Sequence, residues 1–383
     1  MIRQKWTCAW CCVFLCIFGI SSFSTTPVYG ALRKKPVAKP AVSDDGLPVV
    51  SAAAAVLMDV TTGDILFGKQ ADTRRPPAST TKIMTAILGL ELGRPDEVVT
   101  VSQKAADVGE ATLHLDPGEK ITLYELITGA LVRSGNDACV AIGEHIAGSE
   151  EQFVKLMNKK ALALGAQNTH FENTNGLPRK EHYSTAKDLA LMARQGLQIP
   201  QFASITRQKE TEIHFLEPDV FMDLRNTNKL LWNYPYANGV KTGTTTAAGK
   251  CLVASASKEG RQLLAVVLNA PDRFGDAKKL LEWGFEKTQT VRLVDAGQVV
   301  AEFPSTKKSV EVFINYPIDV SIPSVERKNL ETRIVWEKTA YMPVRAGERL
   351  GRLEVWHGKQ KLNSVPLLSE NEVKEDYHNM LFK

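Results

Sequence analysis

The chain has 383 residues, with 47 Lys and Arg against 43 Asp and Glu and a formal net charge of +4. So even a balance excludes the strongly basic surface of a nucleic-acid binder and gives no basis for steering toward anionic lipid. At 44% hydrophobic residues the composition is that of a globular protein, and the length is enough for two domains.

Residues 1–30 read as a signal peptide. Arg3 and Lys5 make the positive start, residues 6–23 form an apolar run, and Val28-Tyr29-Gly30 offers a cleavage point before Ala31. The competing reading is an uncleaved anchor, because the run approaches the ~18 residues that span a bilayer. Cleavage is the reading adopted, and it predicts an exported protein of the periplasm or cell-wall space. No lipobox precedes Cys12 or Cys16. Loss of Arg3 and Lys5 leaves 45 cations against 43 anions, a charge of +2. Four of the six cysteines leave with the leader, and Cys139 and Cys251 sit in apolar runs, which predicts two buried thiols rather than a disulfide framework. The seven histidines show no His-Glu-x-x-His spacing, so a zinc peptidase is disfavoured and no metal or other cofactor is expected.

Residues 31–48, rich in Lys, Pro, Ala and Ser, read as a flexible tether. A first folded domain is expected over 49–288. Strands at 52–59 and 65–69 flank Thr61-Thr62-Gly63-Asp64 as a hairpin. A helix begins near Ser79 after Pro76-Pro77 and turns Ile83, Met84, Ile87 and Leu88 inward. Helices follow at 123–133, 137–147, 151–164 and 185–195, then strands at 250–256 and 262–269 and a helix at 275–285. That order predicts an α/β (α+β) arrangement: a sheet with helices on its faces and a helical lobe beside it. Over 289–368 short alternating runs such as Val310-Glu311-Val312-Phe313 predict a small all-β domain. In the tail, 369–383, Val373, Tyr377, Met380 and Leu381 share a short helical face. Acidic Glu370, Glu372, Glu375 and Asp376 limit any membrane contact there to a weak, peripheral one.

Three stretches bear chemistry: Ser79-Thr80-Thr81-Lys82, Ser134-Gly135-Asn136 and Lys241-Thr242-Gly243. Ser-x-x-Lys also occurs at Ser184, Ser255 and Ser305, and Ser-x-Asn at Ser369, so neither pattern is informative alone. The ordered triple is. A serine hydroxyl needs a base, and Lys82, three residues on, projects from the same helical face as Ser79. Lysine serves as that base only if its pKa falls by roughly three units, which burial and a second ammonium, here Lys241, both promote. The backbone N–H of Ser79 at the helix start is available to an oxyanion. Ser134, Gly135, Asn136 and Asp137 are also ordinary turn and N-cap residues, and Asp137 reads as an N-cap. Lys241-Thr242-Gly243 reads as the opening of a strand against whose edge a substrate backbone could lie.

In these motifs the chain resembles the low-molecular-mass penicillin-binding proteins, the serine-type D-alanyl-D-alanine carboxypeptidases, whose transpeptidase-like fold is shared with serine β-lactamases. The resemblance runs from about Val49 to the end and includes Met58-Asp59, Gly63-Asp64, Leu115-Asp116-Pro117-Gly118 and residues 182–189. It implies Ser79 as nucleophile, Lys82 as general base, Ser134 as proton relay, Asn136 on the substrate amide and the backbone N–H of Thr244 as second oxyanion donor. It implies Lys241, Thr242, Gly243 and Arg273 at the substrate's terminal carboxylate. The expected substrates are peptidoglycan stem peptides ending in D-Ala-D-Ala, with β-lactams as inhibitors. A β-lactamase of the nearest class would need a Glu followed four residues later by Asn. None lies between Ser134 and Lys241, where Asn173-Thr174-Asn175-Gly176-Leu177-Pro178 stands instead. A D,D-endopeptidase and a non-catalytic binder of wall peptides remain alternatives.

Overall fold

The first strand, β1 (Ala54–Asp59), is buried along its whole length, so it shows no alternation of polar residues. Its side chains still alternate between faces: Ala54, Val56 and Met58 enter one core, Ala55 and Leu57 another. The computed structural model describes residue 43 and residues 46–304, 309–324, 329–337 and 343–373. The expected leader, most of the tether and the tail beyond 373 lie outside the described residues.

On one side β1 pairs antiparallel with β2 (Ile65–Lys69). A central antiparallel sheet is completed in the order β2-β1-β9-β8-β7 by β7 (Ala237–Thr245), β8 (Gly249–Lys258) and β9 (Arg261–Leu268). One face receives α9 (Arg273–Lys287), whose Ala277, Leu280, Leu281 and Trp283 meet Leu57, Leu252 and Leu263. The opposite face receives α1 (Lys82–Leu92) and α6 (Ala186–Leu197), with Ile83, Met84, Ile87 and Leu189 fully buried. Burying each such side chain contributes roughly 1.5–3 kcal/mol.

Around α1 the helical lobe adds α2 (Gln103–Ala106), α3 (Leu123–Val132), α4 (Asn136–Ala147) and α5 (Glu150–Ala163). Capping places these starts: Thr122 and Glu125 form a reciprocal capping box before α3, and Ser149 Oγ accepts the Gln152 N–H before α5. Sequence patterning missed α2 and, beyond it, β3 (Val98–Thr100), β4 (Lys120–Thr122), α7 (Pro200–Thr206), β5 (Glu210–Glu217), β6 (Val220–Arg225) and α8 (Leu230–Asn233). The four strands among them form a second sheet, β3-β4-β5-β6.

From Thr288 onward the described chain is all β. The pair β10 (Thr288–Val294) and β13 (Ile318–Pro323) stands beside a sheet of β11 (Val299–Phe303), β12 (Val310–Phe313), β14 (Leu330–Trp336), β15 (Arg349–His357) and β16 (Gln360–Ser369), ordered β11-β12-β16-β15-β14. Val310 and Val312 point inward around exposed Glu311, as the alternation predicts. This region is tied to the central sheet by carboxylates: Asp59 accepts from Arg261 and Thr290, and Asp64 accepts the Ser321 N–H at 2.6 Å.

The buried Asp276 of α9 fastens the start of the described fold. It accepts the Ser51 N–H at 3.0 Å, the Ser51 hydroxyl at 2.7 Å and the Ala52 N–H at 2.8 Å. Asp276→Ala strands these donors, each at about 1–3 kcal/mol if left dry. A loss of about 3 kcal/mol is expected in urea denaturation; a change under 1 kcal/mol would mean that water replaces the carboxylate.

Candidate active site

Four segments converge at the start of α1. Ala78–Thr81 forms a single 3-10 turn leading into α1, so Ser79 sits one turn before Lys82 rather than inside a regular α-helix. Ala78 holds a left-handed φ of +49°. Side chains brace this turn: Thr80 Oγ1 donates to the Pro77 carbonyl at 2.7 Å and Thr81 Oγ1 to the Ala78 carbonyl at 2.8 Å. Behind Thr81 stands His182. The Glu172 N–H donates to His182 Nδ1 at 3.1 Å, which leaves the proton on Nε2, 2.9 Å from Thr81 Oγ1. Burial, followed by the nearby His170, brings the His182 pKa down to about 4, so the ring is neutral at pH 7.

Lys82 is fully buried and donates three bonds: to Ser79 Oγ at 3.1 Å, Asn136 Oδ1 at 2.7 Å and the Asn175 carbonyl at 2.7 Å. Burial lowers its pKa to about 8, against the upward pull of Cys139, Asp137 and Glu110. Lys241 is buried as well and donates to Ser134 Oγ at 2.9 Å and to the Thr242 carbonyl at 3.1 Å. Burial first, and then the Lys82 ammonium, hold Lys241 well below the ordinary lysine range. The two amines thus disfavour each other's charge, as two like charges in a dry site must. Ser79 itself is only half-buried.

The loop carrying Ser134 is set by a left-handed φ of +76° at that residue. The helix cap of α4 is Gly135, not Asp137. The expected cap is corrected here: Asp137 lies inside the first turn, and its carboxylate accepts the N–H groups of Leu113 (2.8 Å), Leu115 (3.2 Å) and Ala138 (2.8 Å). It ties the 113–115 segment to α4 rather than capping the helix. Asn136 uses both ends of its amide, accepting from Lys82 and donating Nδ2 to the Gly109 carbonyl at 2.8 Å.

Lys241, Thr242 and Gly243 lie in the middle of β7, not at its opening, because pairing with β8 already begins at Ala237. β7 is the edge strand of the sheet on the side of the 3-10 turn. Any Cβ on Gly243 would stand 3.0 Å from the Ser79 nitrogen and 3.1 Å from the Pro77 carbonyl oxygen. Thr242 Oγ1 is 2.6 Å from Thr227 Oγ1. Thr244 is exposed, and Arg273 Nη1 donates to its hydroxyl at 2.8 Å and to the Gly243 carbonyl at 2.9 Å. Arg273 therefore braces β7 from α9, and its Nε is buried without a partner among the described residues.

All nine residues singled out in the sequence reach this one region. Those the motifs did not single out act through backbone or position: the Asn175 carbonyl, Gly176, and the His182–Thr81 pair. Asn173 shapes the first of these, its Oδ1 accepting the Gly176 N–H at 2.7 Å. The two cysteines are buried, free thiols; Cys139 beside the lysines has its pKa pushed up to about 12 by burial.

At Gly176, φ is +94° and an added Cβ would lie 2.0 Å from the Ala78 oxygen. Gly176→Ala is expected to cost at least about 3 kcal/mol, whereas Gly118→Ala, also left-handed but with nothing within 4 Å, should cost about 1–2 kcal/mol. Equal melting temperatures for the two variants would show that the 173–178 loop yields freely.

A family model described as D-alanyl-D-alanine carboxypeptidase matches residues 40–272, and one described as penicillin-binding protein 5, C-terminal domain, matches residues 289–375. The D-alanyl-D-alanine carboxypeptidase DacF of Bacillus subtilis (strain 168) is 37% identical over 338 residues, covering 85% of this chain and 86% of the relative. The crystal structure of penicillin binding protein 5 from Haemophilus influenzae superposes with a TM-score of 0.74 at 30% identity, over 86% of this chain and 99% of that one. Penicillin binding protein 6B from Escherichia coli gives 0.64 at 30% identity, over 86% and 98%.

Proposed function

We propose that this chain, which belongs to the D-alanyl-D-alanine carboxypeptidase family, removes the terminal D-alanine of peptidoglycan stem peptides through an ester on Ser79. The observation that carries the reading is the 3.1 Å contact between Ser79 Oγ and a buried lysine whose pKa is brought to about 8. Neutral Lys82 takes the hydroxyl proton as Ser79 Oγ attacks the penultimate D-Ala carbonyl. The backbone N–H groups of Ser79 and Thr244 hold the oxyanion; one such donor is worth about 3 kcal/mol of barrier. As the C–N bond breaks, Ser134, bonded to Lys241, passes a proton to the leaving amine, and water then hydrolyses the ester.

Lys241 and Thr242, with the β7 segment braced by Arg273, form the seat for the terminal carboxylate. An anion there favours charged Lys241, and the charged Lys241 in turn depresses Lys82 further. Substrate binding thus moves the shared charge from Lys82 onto Lys241 and leaves a cationic carboxylate holder beside a neutral base. Asn136 positions Lys82 and reaches the substrate amide by exchanging its contact with Gly109.

β-Lactams acylate the same serine. Among the described residues no carboxylate hydrogen-bonds Ser79 or Lys82 as a dedicated base for a deacylating water, and the amine freed by opening the lactam ring stays attached where D-alanine would depart, so the adduct is expected to outlive the peptidyl ester. This family comprises extracytoplasmic cell-wall enzymes, and the expected leader supports export of this chain. Among the described residues no helix is long and apolar enough to cross a membrane.

Purified protein should release D-alanine from diacyl-Lys-D-Ala-D-Ala and keep penicillin attached at Ser79 by intact mass. Ser79→Ala should abolish both; labelling that persists would place the nucleophile elsewhere. Because the base must be neutral and the carboxylate holder charged, kcat/KM should rise with pH through a midpoint at or below about 8 and fall again at higher pH as Lys241 loses its proton. Lys82→Arg should lower acylation by about 10^3-fold and remove the rising limb; near wild-type acylation in this variant would end the lysine-base account.

A further inference from the structure

The peptide unit between Ala78 and Ser79 carries the Ser79 N–H at one end and the Ala78 carbonyl at the other. In a planar trans unit these two groups point in opposite directions, so whatever holds the oxygen also aims the N–H. Two glycines bracket the unit. A Cβ on Gly243 would stand 3.0 Å from the Ser79 nitrogen, and one on Gly176 would stand 2.0 Å from the Ala78 oxygen. Thr81 Oγ1 donates to that oxygen at 2.8 Å. A hydroxyl is free to rotate and has a single proton to give. His182 removes that freedom. It is 3% exposed, stands edge-on to Phe171 with ring centroids 5.6 Å apart, and accepts the Glu172 N–H on Nδ1 at 3.1 Å. Its own proton is therefore on Nε2 and faces Thr81 Oγ1 at 2.9 Å. The Thr81 hydroxyl receives from His182 and so must give to Ala78. Packing against Phe171 asks only for a ring, yet both ring nitrogens are bonded.

We propose that His182 is a positioning residue for the oxyanion hole. The one-way chain from the Glu172 N–H through His182 and Thr81 to the Ala78 carbonyl aims the Ser79 N–H at the oxygen that becomes charged as Ser79 Oγ attacks. The inference rests on the reading of Ser79 as the nucleophile of the carboxypeptidase. His182 touches neither the substrate nor the reacting atoms; it acts through Thr81. Hydrogen bonds that run in one direction polarise one another, so the last donor, the Thr81 hydroxyl, grips the carbonyl more firmly than it would alone. A proton added to the ring would sit on Nδ1, facing the Glu172 N–H donor to donor, and would place another cation near Lys82. Burial keeps that form away at pH 7. The neutral ring is thus the form that holds the turn while the base works.

Three substitutions separate the parts of this chain. His182→Phe keeps a ring against Phe171 and removes both nitrogens. His182→Asn keeps an acceptor for the Glu172 N–H but falls short of Thr81, and serves if the phenyl ring is not tolerated. His182→Gln is long enough to reach Thr81 with an amide N–H. Each is measured for D-alanine release from diacyl-Lys-D-Ala-D-Ala, for affinity toward a peptide boronic acid that forms a tetrahedral anion on Ser79, and for inhibition by the product diacyl-Lys-D-Ala, which has no tetrahedral centre. The Phe and Asn variants should lose about tenfold in kcat/KM and in boronate affinity, less than removal of a whole oxyanion donor, with product affinity held to within about twofold. His182→Gln should regain most of that loss. Adding Thr81→Val to His182→Phe should cost no more than Thr81→Val alone, because the two act in one chain. Wild-type boronate affinity in the Phe and Asn variants, an equal fall in boronate and product affinity, or a Gln variant no better than Phe would overturn the positioning role. A wild type that takes up the boronate but releases no D-alanine would overturn the carboxypeptidase reading and leave the role of His182 standing. Neither response in the wild type would overturn both.

Discussion

Two lysine amines buried within one site set the terms for everything around them. A pKa near 8 in place of 10.5 at Lys82 corresponds to about 3 kcal/mol of disfavoured charging. Because the folded pKa lies below the unfolded one, the folded state binds fewer protons between about pH 8 and 10.5. This group therefore opposes folding most fully below about pH 8 and progressively less as pH rises through that window. The surroundings offset that cost without cancelling it. Asn136 and the Asn175 carbonyl give Lys82 two 2.7 Å acceptors, while Asp137 and Glu110 act from a distance. A carboxylate in direct contact would have stabilised the ammonium and left no base; neutral acceptors hold the amine in place and leave its proton loosely bound.

That requirement explains why backbone geometry around the site is so constrained. The Asn175 carbonyl reaches Lys82 only because the 173–178 loop presses against the 3-10 turn, and it does so at Gly176, where no side chain fits beneath the Ala78 carbonyl. Ala78 and Ser134, both left-handed without being glycine, stand next to or at the two serines of the site. Residues held in this region cost free energy and persist where the surroundings over-determine them. Here Thr81, backed by a neutral His182, supplies that determination for Ala78.

Much of this was legible beforehand, for a stated reason in each case. The triple of Ser-x-x-Lys, Ser-x-Asn and Lys-Thr-Gly is legible because side-chain chemistry is written in residue types. The long helices are legible because burial imposes a helical period on them, and the strands 54–59 and 261–268 because each is a short continuous apolar run bounded by turn residues. What stayed hidden works through the main chain or through position alone. A carbonyl such as that of Asn175 is the same in every residue, so no letter marks it as a lysine acceptor. Strands of three residues, β3 and β4, are too short to show a period. Asp137 carries the composition of a cap but, two residues past the cap Gly135, spends its carboxylate on the N–H groups of Leu113 and Leu115 across the loop and of Ala138 beside it.

The position of Lys-Thr-Gly inside β7 brings these constraints together. An edge strand exposes unpaired backbone groups and invites another chain to pair with it. In this fold the central sheet ends on β7, with the serine turn beside Gly243 and α9 bracing the strand through Arg273. The open edge is thereby confined to the segment beside Ser79, where an extended peptide can add as a further strand and bring its carbonyl to the hydroxyl. The same strand that binds the peptide backbone carries Lys241 toward Ser134 and Thr242 toward Thr227.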